Sequence, residues 1–457
     1  MTRQSTRTAR SAPAAAVRLL SALGLAAAGL VAPAAAAAAT TVTPTAVVLP
    51  AAGFVSPHGP YSTTSDDCAA CHRAHTAKSS ALLTTATPQS TLCFTCHDGT
   101  GSTLNVAAQY SDPKVPANNP TPGSYYTHDV TKPTAHILAS SDEFSGVFNR
   151  HTECSDCHNP HEGSLAVSTS SPDGTPWTPG GPNTGTSGIS VTNATGAQTY
   201  TFLNGTTQPV TAEYQLCLKC HSGNTVLLPK DPAHPSRDSL DAGAEFNPTA
   251  VSFHPIEAPG KNPSPKMALS LSGTSPYKLW NLTTSSTVRC TNCHANAVAT
   301  GATPAAGDDL APHASPNRGI LLRNYRDRDL KAKDEAYADA DFALCYLCHT
   351  NSPFSTSSTS ATNFSQHFKH MHEIGGKGSG GLSIDTAGDG QGNALCSECH
   401  FRTHSTATTA GQYTRLVTFA PDVQAVNGVL SWTSTGTGSG TCTLKCHGKT
   451  HDGISYH

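Results

Sequence analysis

Apolar residues are concentrated near the start of the chain. The segment Leu19–Val31 is almost entirely apolar, follows four arginines without an acidic residue, and precedes an alanine run at 34–39. These are the parts of a cleavable secretory signal, which we predict over residues 1–39. A membrane anchor is the alternative, but the run is too short to span a bilayer comfortably, and no stretch of 18 apolar residues occurs after Thr40. We therefore expect an exported protein that is periplasmic, cell-surface or extracellular and is not integral to the membrane.

The rest of the chain gives few signals of regular secondary structure. Gly188–Leu203 alternates weakly between apolar and polar positions, which is typical of a hairpin. Because it lies in a stretch at 163–211 that is rich in Ser, Thr, Gly and Pro, we favour a solvated insertion. Leu330–Ala340 is a charged stretch with a helical pattern, and Thr433–Gly440 resembles a flexible linker. Elsewhere we expect only short helices.

Composition explains why ordinary packing is not expected. Only 37% of the 457 residues are hydrophobic and 13% are charged, whereas about 45–50% and about 25% are usual. Such a chain is either largely disordered or has an interior filled by something other than side chains. The formal net charge of −3 gives no sign of nucleic-acid binding.

The cysteines supply the missing component. All 16 cysteines occur in pairs, and a histidine follows each pair at once. Seven pairs have the form C-x-x-C-H, and the eighth has one more residue between its cysteines. The pairs are Cys68 and Cys71, Cys93 and Cys96, Cys154 and Cys157, Cys217 and Cys220, Cys290 and Cys293, Cys345 and Cys348, Cys396 and Cys399, and Cys442 and Cys446. The adjoining histidines are His72, His97, His158, His221, His294, His349, His400 and His447.

C-x-x-C-H is the attachment signature of haem c. Two thiols on one turn can each form a thioether bond with a haem vinyl group, and the adjoining histidine then reaches the iron as its proximal ligand. Disulfides, paired zinc sites and thioredoxin-like redox pairs are the alternatives, but none of them explains a histidine after every cysteine pair. We therefore predict eight covalently bound haem c groups, which would also form the missing core.

The motifs repeat as four tandem dihaem units. We place their boundaries at 40–125, 126–249 with the polar insertion 163–211, 250–362 and 363–457. Each unit adds histidines outside the motifs that could supply the second axial ligand. The candidates for this distal position are His58, His75, His136, His161, His254, His313, His370 and His404, with His451 as the strongest substitute and His151 and His367 next. A histidine three or four residues after a proximal histidine cannot reach the opposite face of the same haem, so we expect it to ligate a neighbouring one.

The motifs resemble those of doubled C-x-x-C-H cytochromes, a multihaem c-type family within the cytochrome c3-like group. The resemblance extends from about Phe54 to the C-terminus and is carried by CAACHRAH at 68–75, CSDCHNPH at 154–161, EYQLCLKCHS at 213–222, EFNPTAVSFHP at 245–255 and CTLKCHGKTH at 442–451. It implies a mostly irregular, haem-cored fold with short α-helices and little β-structure, bis-His haems and electron transfer. The third unit departs from the pattern, because ANAV follows His294 where a histidine would stand, and this weakens the assignment of His313.

These features favour an electron conduit without substrate chemistry of its own. Only Met267 and Met371 follow the signal, so nearly all haems would be bis-His and of low potential. The alternative is an octahaem oxidoreductase acting on nitrogen or sulfur oxyanions, although nitrite reductases of that kind have one motif ending in Lys and here all eight end in His. The expected partners are redox proteins or extracellular electron acceptors. Histidines near the chain ends, such as His58 and His451, could ligate haem in a neighbouring copy and build a filament. The alternative, which we slightly favour, is a monomer in which His58 serves its own first unit.

Overall fold

The computed structural model describes residues 58, 67–79, 81–102, 105–111, 126–131, 146–148, 152–163, 181–227, 241–296, 310–326, 330–331, 335–356, 364–373, 393–405, 414–436 and 439–456. All of them belong to one compact unit that spans residues 49–457. The predicted signal at 1–39, the candidate ligand His136 and the substitute His151 lie outside the described residues. None of the helices within these ranges is long and apolar enough to cross a membrane.

The helices are short, and half of the ten α-helices in the described ranges contain motif cysteines. The α-helices are α1 (Asp67–Cys71), α2 (Ser90–Cys93), α3 (Val106–Ser111), α4 (Cys154–Cys157), α5 (Tyr214–His221), α6 (Ala242–Glu245), α7 (Pro265–Ser272), α8 (Ser352–Ser355), α9 (His367–His372) and α10 (Cys396–Cys399). Single 3₁₀ turns span Gly181–Asn183, Cys290–Asn292, Arg318–Ile320, Asp339–Phe342 and Cys345–Leu347. The helix predicted at Leu330–Ala340 is wrong, since its described residues before Asp339 are not helical.

One of the two longest helices in the described ranges, α7, shows what local sequence can specify here. Ser264 precedes it, and the Ser264 hydroxyl accepts a hydrogen bond from the Met267 N–H at 3.1 Å. Pro265 occupies the first helical position, where its missing N–H costs nothing, and Gly273 follows the last turn. Eight of the other nine α-helices in the described ranges span only four to six residues, which leaves less room for such start and stop signals.

The strands form small separate sheets. Strands β1 (Tyr126–Thr127) and β6 (Ala314–Ser315) pair antiparallel, β2 (Gly146–Phe148) and β5 (Thr225–Leu227) pair parallel, and β3 (Gly188–Thr192) and β4 (Thr199–Leu203) form a hairpin. A three-stranded meander is made of β7 (Ser431–Gly436), β8 (Ser439–Cys446) and β9 (Lys449–Tyr456). Because β7 and β8 occupy most of Thr433–Gly440, the linker predicted there is wrong.

The hairpin at Gly188–Leu203 corrects a second expectation. It is not a solvated insertion, because the Ile189 side chain is 1% exposed and Val210 and Leu216 are buried together beside Leu203. A Cβ at position 188 would lie 2.7 Å from Val210 and 3.0 Å from the Gln215 carbonyl oxygen, so only glycine allows this strand to approach α5 so closely. The polar composition of the surrounding segment hid this apolar face.

The main cluster of buried side chains lies where the third and fourth predicted units meet. It contains Leu330, Tyr337, Phe342, Tyr346, Met371, Leu395, Ala420, Val423 and Leu444. Four motif cysteines, Cys345, Cys396, Cys442 and Cys446, pack against it. The side-chain core is therefore continuous with the cysteine motifs.

Candidate haem-attachment sites

Seven motifs share one local structure, in which the cysteines and the histidine occupy a single helical turn. In six of them the histidine N–H donates to the carbonyl oxygen of the first cysteine, and in the seventh the motif lies within α5. The N···O distances are 2.8 Å from His72 to Cys68, 2.9 Å from His97 to Cys93, 2.9 Å from His158 to Cys154, 2.8 Å from His294 to Cys290, 3.1 Å from His349 to Cys345 and 2.8 Å from His400 to Cys396. Such a turn holds the two thiols and the imidazole close together, as two thioether bonds and an axial ligand require.

A side chain inside the motif stabilises three of these turns. The residue before the second cysteine reaches back and accepts a hydrogen bond from the N–H of the residue before the first. The contacts join Asp156 Oδ2 to Glu153 N at 2.6 Å, Asn292 Oδ1 to Arg289 N at 2.7 Å, and Glu398 Oε2 to Leu395 N at 2.8 Å. This is half of a capping box, and it satisfies a donor that the short helix would leave without a partner.

Histidines distant in sequence face the motif histidines. Within the described residues, five motif histidines have a partner whose ring centroid lies 5.9–6.2 Å away. The pairs are His97 with His58, His72 with His161, His221 with His128, His158 with His313, and His294 with His404. The first two pairs have nearly parallel rings, at 22° and 17°, and the other three have interplanar angles of 60–63°.

This spacing fits a metal ion between two imidazoles. A metal–imidazole bond is about 2 Å long and the bonded nitrogen lies about 1 Å from its ring centroid, so two rings on opposite sides of one ion have centroids about 6 Å apart. Direct stacking would bring parallel rings closer than the 5.9–6.0 Å observed for the first two pairs. Together with the thiols of each turn, these paired imidazoles would suit haem c with a histidine on each side of its iron.

In seven of these ten rings an oxygen atom of the chain contacts Nδ1, and this contact orients Nε2 toward a metal. In five rings Nδ1–H donates to a backbone carbonyl oxygen. These hydrogen bonds join His72 to Ala81 at 2.9 Å, His58 to Pro160 at 3.0 Å, His128 to Pro312 at 2.7 Å, His158 to Pro182 at 3.0 Å and His294 to Gly319 at 2.7 Å. Two rings use side chains instead, with His313 bound to Gln109 Oε1 at 2.6 Å and His404 to Glu245 Oε2 at 3.0 Å.

The partners follow a regular pattern along the chain. The histidine before the first motif of a unit faces the second motif of the same unit, as His58 faces His97. The histidine after the first motif of a unit faces the first motif of the preceding unit, as His161 faces His72 and His404 faces His294. His313 follows this second rule despite its longer spacing from Cys290–His294.

Two further motif histidines have a neighbouring histidine at longer range. Burial is the main cause that lowers the pKa of His349 to about 4, and the His254 imidazole adds to this shift. The His254 backbone N–H donates to the His404 carbonyl at 2.9 Å, so His254 also lies against the segment that follows the seventh motif. Burial is the main cause that lowers the pKa of His367 to about 3, and the His400 imidazole of the seventh motif adds to this shift. Among the other candidates, His75 is exposed, and His370 lies in α9 with its ring 6.5 Å from that of His451.

Sequence reasoning missed His128. We singled out His136 as the accessory histidine of the second unit, whereas His128 is the residue that faces His221. Spacing could have identified it, because His128 lies 26 residues before Cys154 and His370 lies 26 residues before Cys396.

The cysteines of successive motifs are neighbours in the first half of the chain. Burial is the main cause that raises the pKa of Cys71, and the Cys93 thiol raises it further. The thiols of Cys93 and Cys154 form a hydrogen bond, which raises the pKa of Cys154 and lowers that of Cys93. Burial raises the pKa of Cys157 to about 11, and the Cys217 thiol adds to this shift. The first four motifs therefore follow one another in space in their sequence order.

The same order continues into the third unit. A hydrogen bond between the Cys217 and Cys290 thiols, together with burial, raises the pKa of Cys217 well above its ordinary value. Burial, and then the Cys293 thiol, raise the pKa of Cys345 to about 12. These contacts connect the fourth motif to the fifth and the fifth to the sixth.

The fourth unit completes the row. Burial, and then the Cys345 thiol, raise the pKa of Cys396 well above its ordinary value. Burial is also the main cause that raises the pKa of Cys399 well above its ordinary value, and the Cys446 thiol raises it further. Each motif is thus an electrostatic neighbour of the next one, from the first to the eighth.

Comparison with known proteins agrees with this arrangement at one end of the chain. Residues 58–102, which hold His58 and the first two motifs, match the family model described as the doubled CXXCH motif. No curated protein and no solved structure shows significant similarity to the chain. Residues 58–102 therefore carry the doubled CXXCH motif, and C-x-x-C-H sequences imply covalently bound haem c.

Proposed function

We propose that this protein is an extracytoplasmic octahaem c-type cytochrome that carries electrons along the row of its eight attachment sites. The observation that carries the proposal is the row itself. Thiols of each motif influence the pKa of thiols in the next, from Cys93 acting on Cys71 to Cys446 acting on Cys399. Electrons that pass from each attachment site to the next would enter at the first or the eighth motif and leave at the other.

The residues of the sites have distinct parts in this function. The cysteines would hold haem c through thioether bonds, and the paired histidines would bind its iron from both sides. Haem c, when bound, supplies a one-electron Fe(III)/Fe(II) change whose potential its axial ligands and surroundings set. The chain keeps the ligands rigid, since carbonyl oxygens far along the sequence, such as that of Pro312 at 2.7 Å from His128, fix the imidazoles.

The paired histidines favour a carrier over an enzyme. In five motifs an imidazole stands opposite the motif histidine, at the position a substrate would need. Imidazole on both sides also favours low potentials, since methionine is the ligand that raises them. The second candidate, an octahaem oxidoreductase acting on nitrogen or sulfur oxyanions, requires one site whose second position is open.

The same pairing rule supports assembly into a homopolymer. His161 and His404 each reach back to the first motif of the preceding unit. His75 holds the equivalent place in the first unit, and its side chain is exposed. In a head-to-tail contact His75 reaches the attachment site at Cys396–His400 of a second copy, and repetition of that contact joins the rows into a filament. The partners at its ends are redox proteins or extracellular electron acceptors.

Haem content and spin state test the function together. Purified protein is analysed by intact mass and by electron paramagnetic resonance (EPR). The proposal requires eight haems that survive denaturation and a spectrum that is almost entirely low-spin. A haem-free chain overturns it, and a strong high-spin signal with turnover of nitrite or hydroxylamine supports the enzyme instead.

A further inference from the structure

Two side chains that stand directly before motif helices bind the motif of the following unit. Gln89 precedes α2 and Glu213 precedes α5, the helices that carry cysteines of the second and fourth motifs, and within the described residues neither side chain caps its own helix. Each lies four residues before the first cysteine of its motif. Gln89 and Glu213 therefore occupy the same position in two successive units.

Gln89 makes two hydrogen bonds with Ser155 of the third motif. Its Oε1 accepts from the Ser155 N–H at 2.9 Å, and its Nε2–H donates to Ser155 Oγ at 3.0 Å. The two residues are 66 positions apart in sequence. This contact joins the second motif of the first predicted unit to the first motif of the second unit.

Glu213 makes the equivalent pair of hydrogen bonds with Thr291 of the fifth motif. Glu213 Oε1 accepts from the Thr291 N–H at 2.9 Å, and Glu213 Oε2 accepts from the Thr291 hydroxyl at 2.8 Å. Ser155 and Thr291 each follow the first cysteine of their motif directly, so the two contacts agree at both ends. We call the pairs Gln89–Ser155 and Glu213–Thr291 the inter-unit clamps.

Each clamp uses an N–H group that a short helical turn cannot satisfy by itself. Helix α4 begins at Cys154 and a 3₁₀ turn begins at Cys290, so Ser155 and Thr291 are the second residues of their turns. The N–H groups in a first helical turn have no carbonyl acceptor within the same helix. The preceding unit supplies this acceptor, and the start of each turn is therefore held by the neighbouring motif.

The clamps lie where the first cysteines of successive units meet. The thiols of Cys93 and Cys154 are hydrogen-bonded, and so are those of Cys217 and Cys290. In both cases the first cysteine of one motif contacts the first cysteine of the next. Because each of these sulfurs would be tied to a haem by a thioether bond, their spacing constrains how closely two successive haems approach.

The junction between the third and fourth units is built differently. Asp341 holds the equivalent position, four residues before the sixth motif, but its Oδ2 binds the Ala338 N–H at 2.7 Å and Lys331 Nζ at 2.9 Å. Ser397, which follows the first cysteine of the seventh motif, is 1% exposed, and its Oγ has no hydrogen-bond partner among the described residues. The main cluster of buried side chains lies at this junction. Apolar packing therefore takes the place of the clamp there.

We propose that Gln89 and Glu213 are positioning residues of the electron path, each of which holds the second motif of its unit against the first motif of the next. They thereby fix the distance over which an electron passes between units. The inference rests on the proposed function for the existence of that path. Since one site uses glutamine and the other uses glutamate, either side chain can form a clamp, whereas alanine cannot.

Hydrogen–deuterium exchange of the complete haem-loaded protein tests the clamps. Gln89→Ala should speed exchange at the Ser155 amide, and Glu213→Ala at the Thr291 amide, by about fivefold or more. Gln89→Glu and Glu213→Gln each install the side chain used at the other site, so both variants should keep the protection of the wild type. Wild-type protection in either alanine variant overturns the proposal.

The rate of electron redistribution among the haems tests their role in the path. A light flash with an external photoreductant reduces a fraction of the haems, and absorbance follows the redistribution that comes after it. At an unchanged haem count, both alanine variants should slow redistribution several-fold, and the two exchanged variants should restore the wild-type rate. Gln424→Ala removes an exposed glutamine and is the matched control, which should keep that rate.

A wild-type rate in an alanine variant that has lost its amide protection also overturns the proposal. Absence of haem from the wild-type protein would instead refute the proposed function. Intact mass detects that absence directly, so the two failures are distinguished.

Discussion

Glu245 accepts a hydrogen bond from His404 Nδ1 at 3.0 Å, although 159 positions separate the two residues in sequence. The other oxygen of this carboxylate binds Arg402 Nη1 at 2.8 Å, and the Glu245 side chain is only 1% exposed. A carboxylate on Nδ1 makes an imidazole a stronger donor to a metal ion and favours the oxidised state. Glu245 thus reaches from the second predicted unit to a histidine that faces a motif of the third.

This relationship predicts the effect of Glu245→Gln. The amide keeps the size of the side chain and removes its charge, so the potential of one haem should rise by roughly 60 mV, a tenfold change in a one-electron equilibrium. Spectroscopic redox titration measures the shift. Glu257→Gln is the matched control, because Glu257 is a carboxylate hydrogen-bonded to Asn193 rather than to a histidine, and it should leave the potentials unchanged. An equal shift in both variants would contradict the assignment.

His128 offers a direct comparison with a candidate chosen from sequence. Because its ring faces that of His221 at 6.2 Å, His128→Ala should convert one haem to high-spin, whereas His136→Ala should leave the spectrum low-spin. EPR of the two variants at equal haem content decides between them. The reverse result would return the ligand role to His136.

Assembly separates His75 from His58. His58 faces His97 within its own unit, so His58→Ala should turn one haem high-spin at unaltered particle size. His75 is exposed, and His75→Ala should abolish higher-order assembly. Size-exclusion chromatography with light scattering and electron microscopy measure both. A wild-type protein that stays monomeric would refute the contact through His75.

Stability should depend on pH through Glu257. Burial is the main cause that raises the pKa of this carboxyl from 4.5 to about 7. The folded state therefore holds the proton more tightly than the unfolded state, and this contribution to stability is complete below pH 4.5 and is lost as pH rises to about 7. Glu257→Gln should flatten the decline of the melting temperature over this window. A decline of equal size in the variant would show that other groups cause it.

Packing at the boundary of the third and fourth units should be costly to disturb. Phe342 is fully buried and its ring contacts Tyr337 at 5.4 Å and Tyr325 at 6.1 Å. Phe342→Ala should lower the free energy of unfolding by about 3–5 kcal/mol in denaturant titration. Leu269→Ala, at a side chain 69% exposed, should change it by about 0.5 kcal/mol or less. Similar values for the two would mean that this cluster does not support the fold.

What could be predicted from sequence was whatever a few adjacent residues determine. The cysteine turns follow from spacing alone, and so do the motif histidines on them. The partner histidines depend on contacts between distant segments, which is why His128 was missed and why His161 could be assigned to a neighbouring motif but not to His72 in particular. The strand at Cys442–Cys446 escaped notice because a cysteine motif was expected to impose its usual turn, whereas pairing with β7 and β9 prevailed.

The crossed pairing also limits how a chain of this kind can lengthen or shorten. His161 of one unit faces His72 of the unit before, and His404 faces His294 in the same way. Inserting a whole unit of two motifs preserves every such pair. A histidine of the inserted unit faces the first motif of the unit before it, and a histidine of the unit after it faces the first motif of the inserted unit. Inserting or deleting a single motif leaves one imidazole without its counterpart. Duplication of a whole two-motif unit therefore lengthens such a protein without breaking a pair. Cleavage between units removes a partner imidazole from the upstream fragment only, because each unit receives its histidine from the unit that follows.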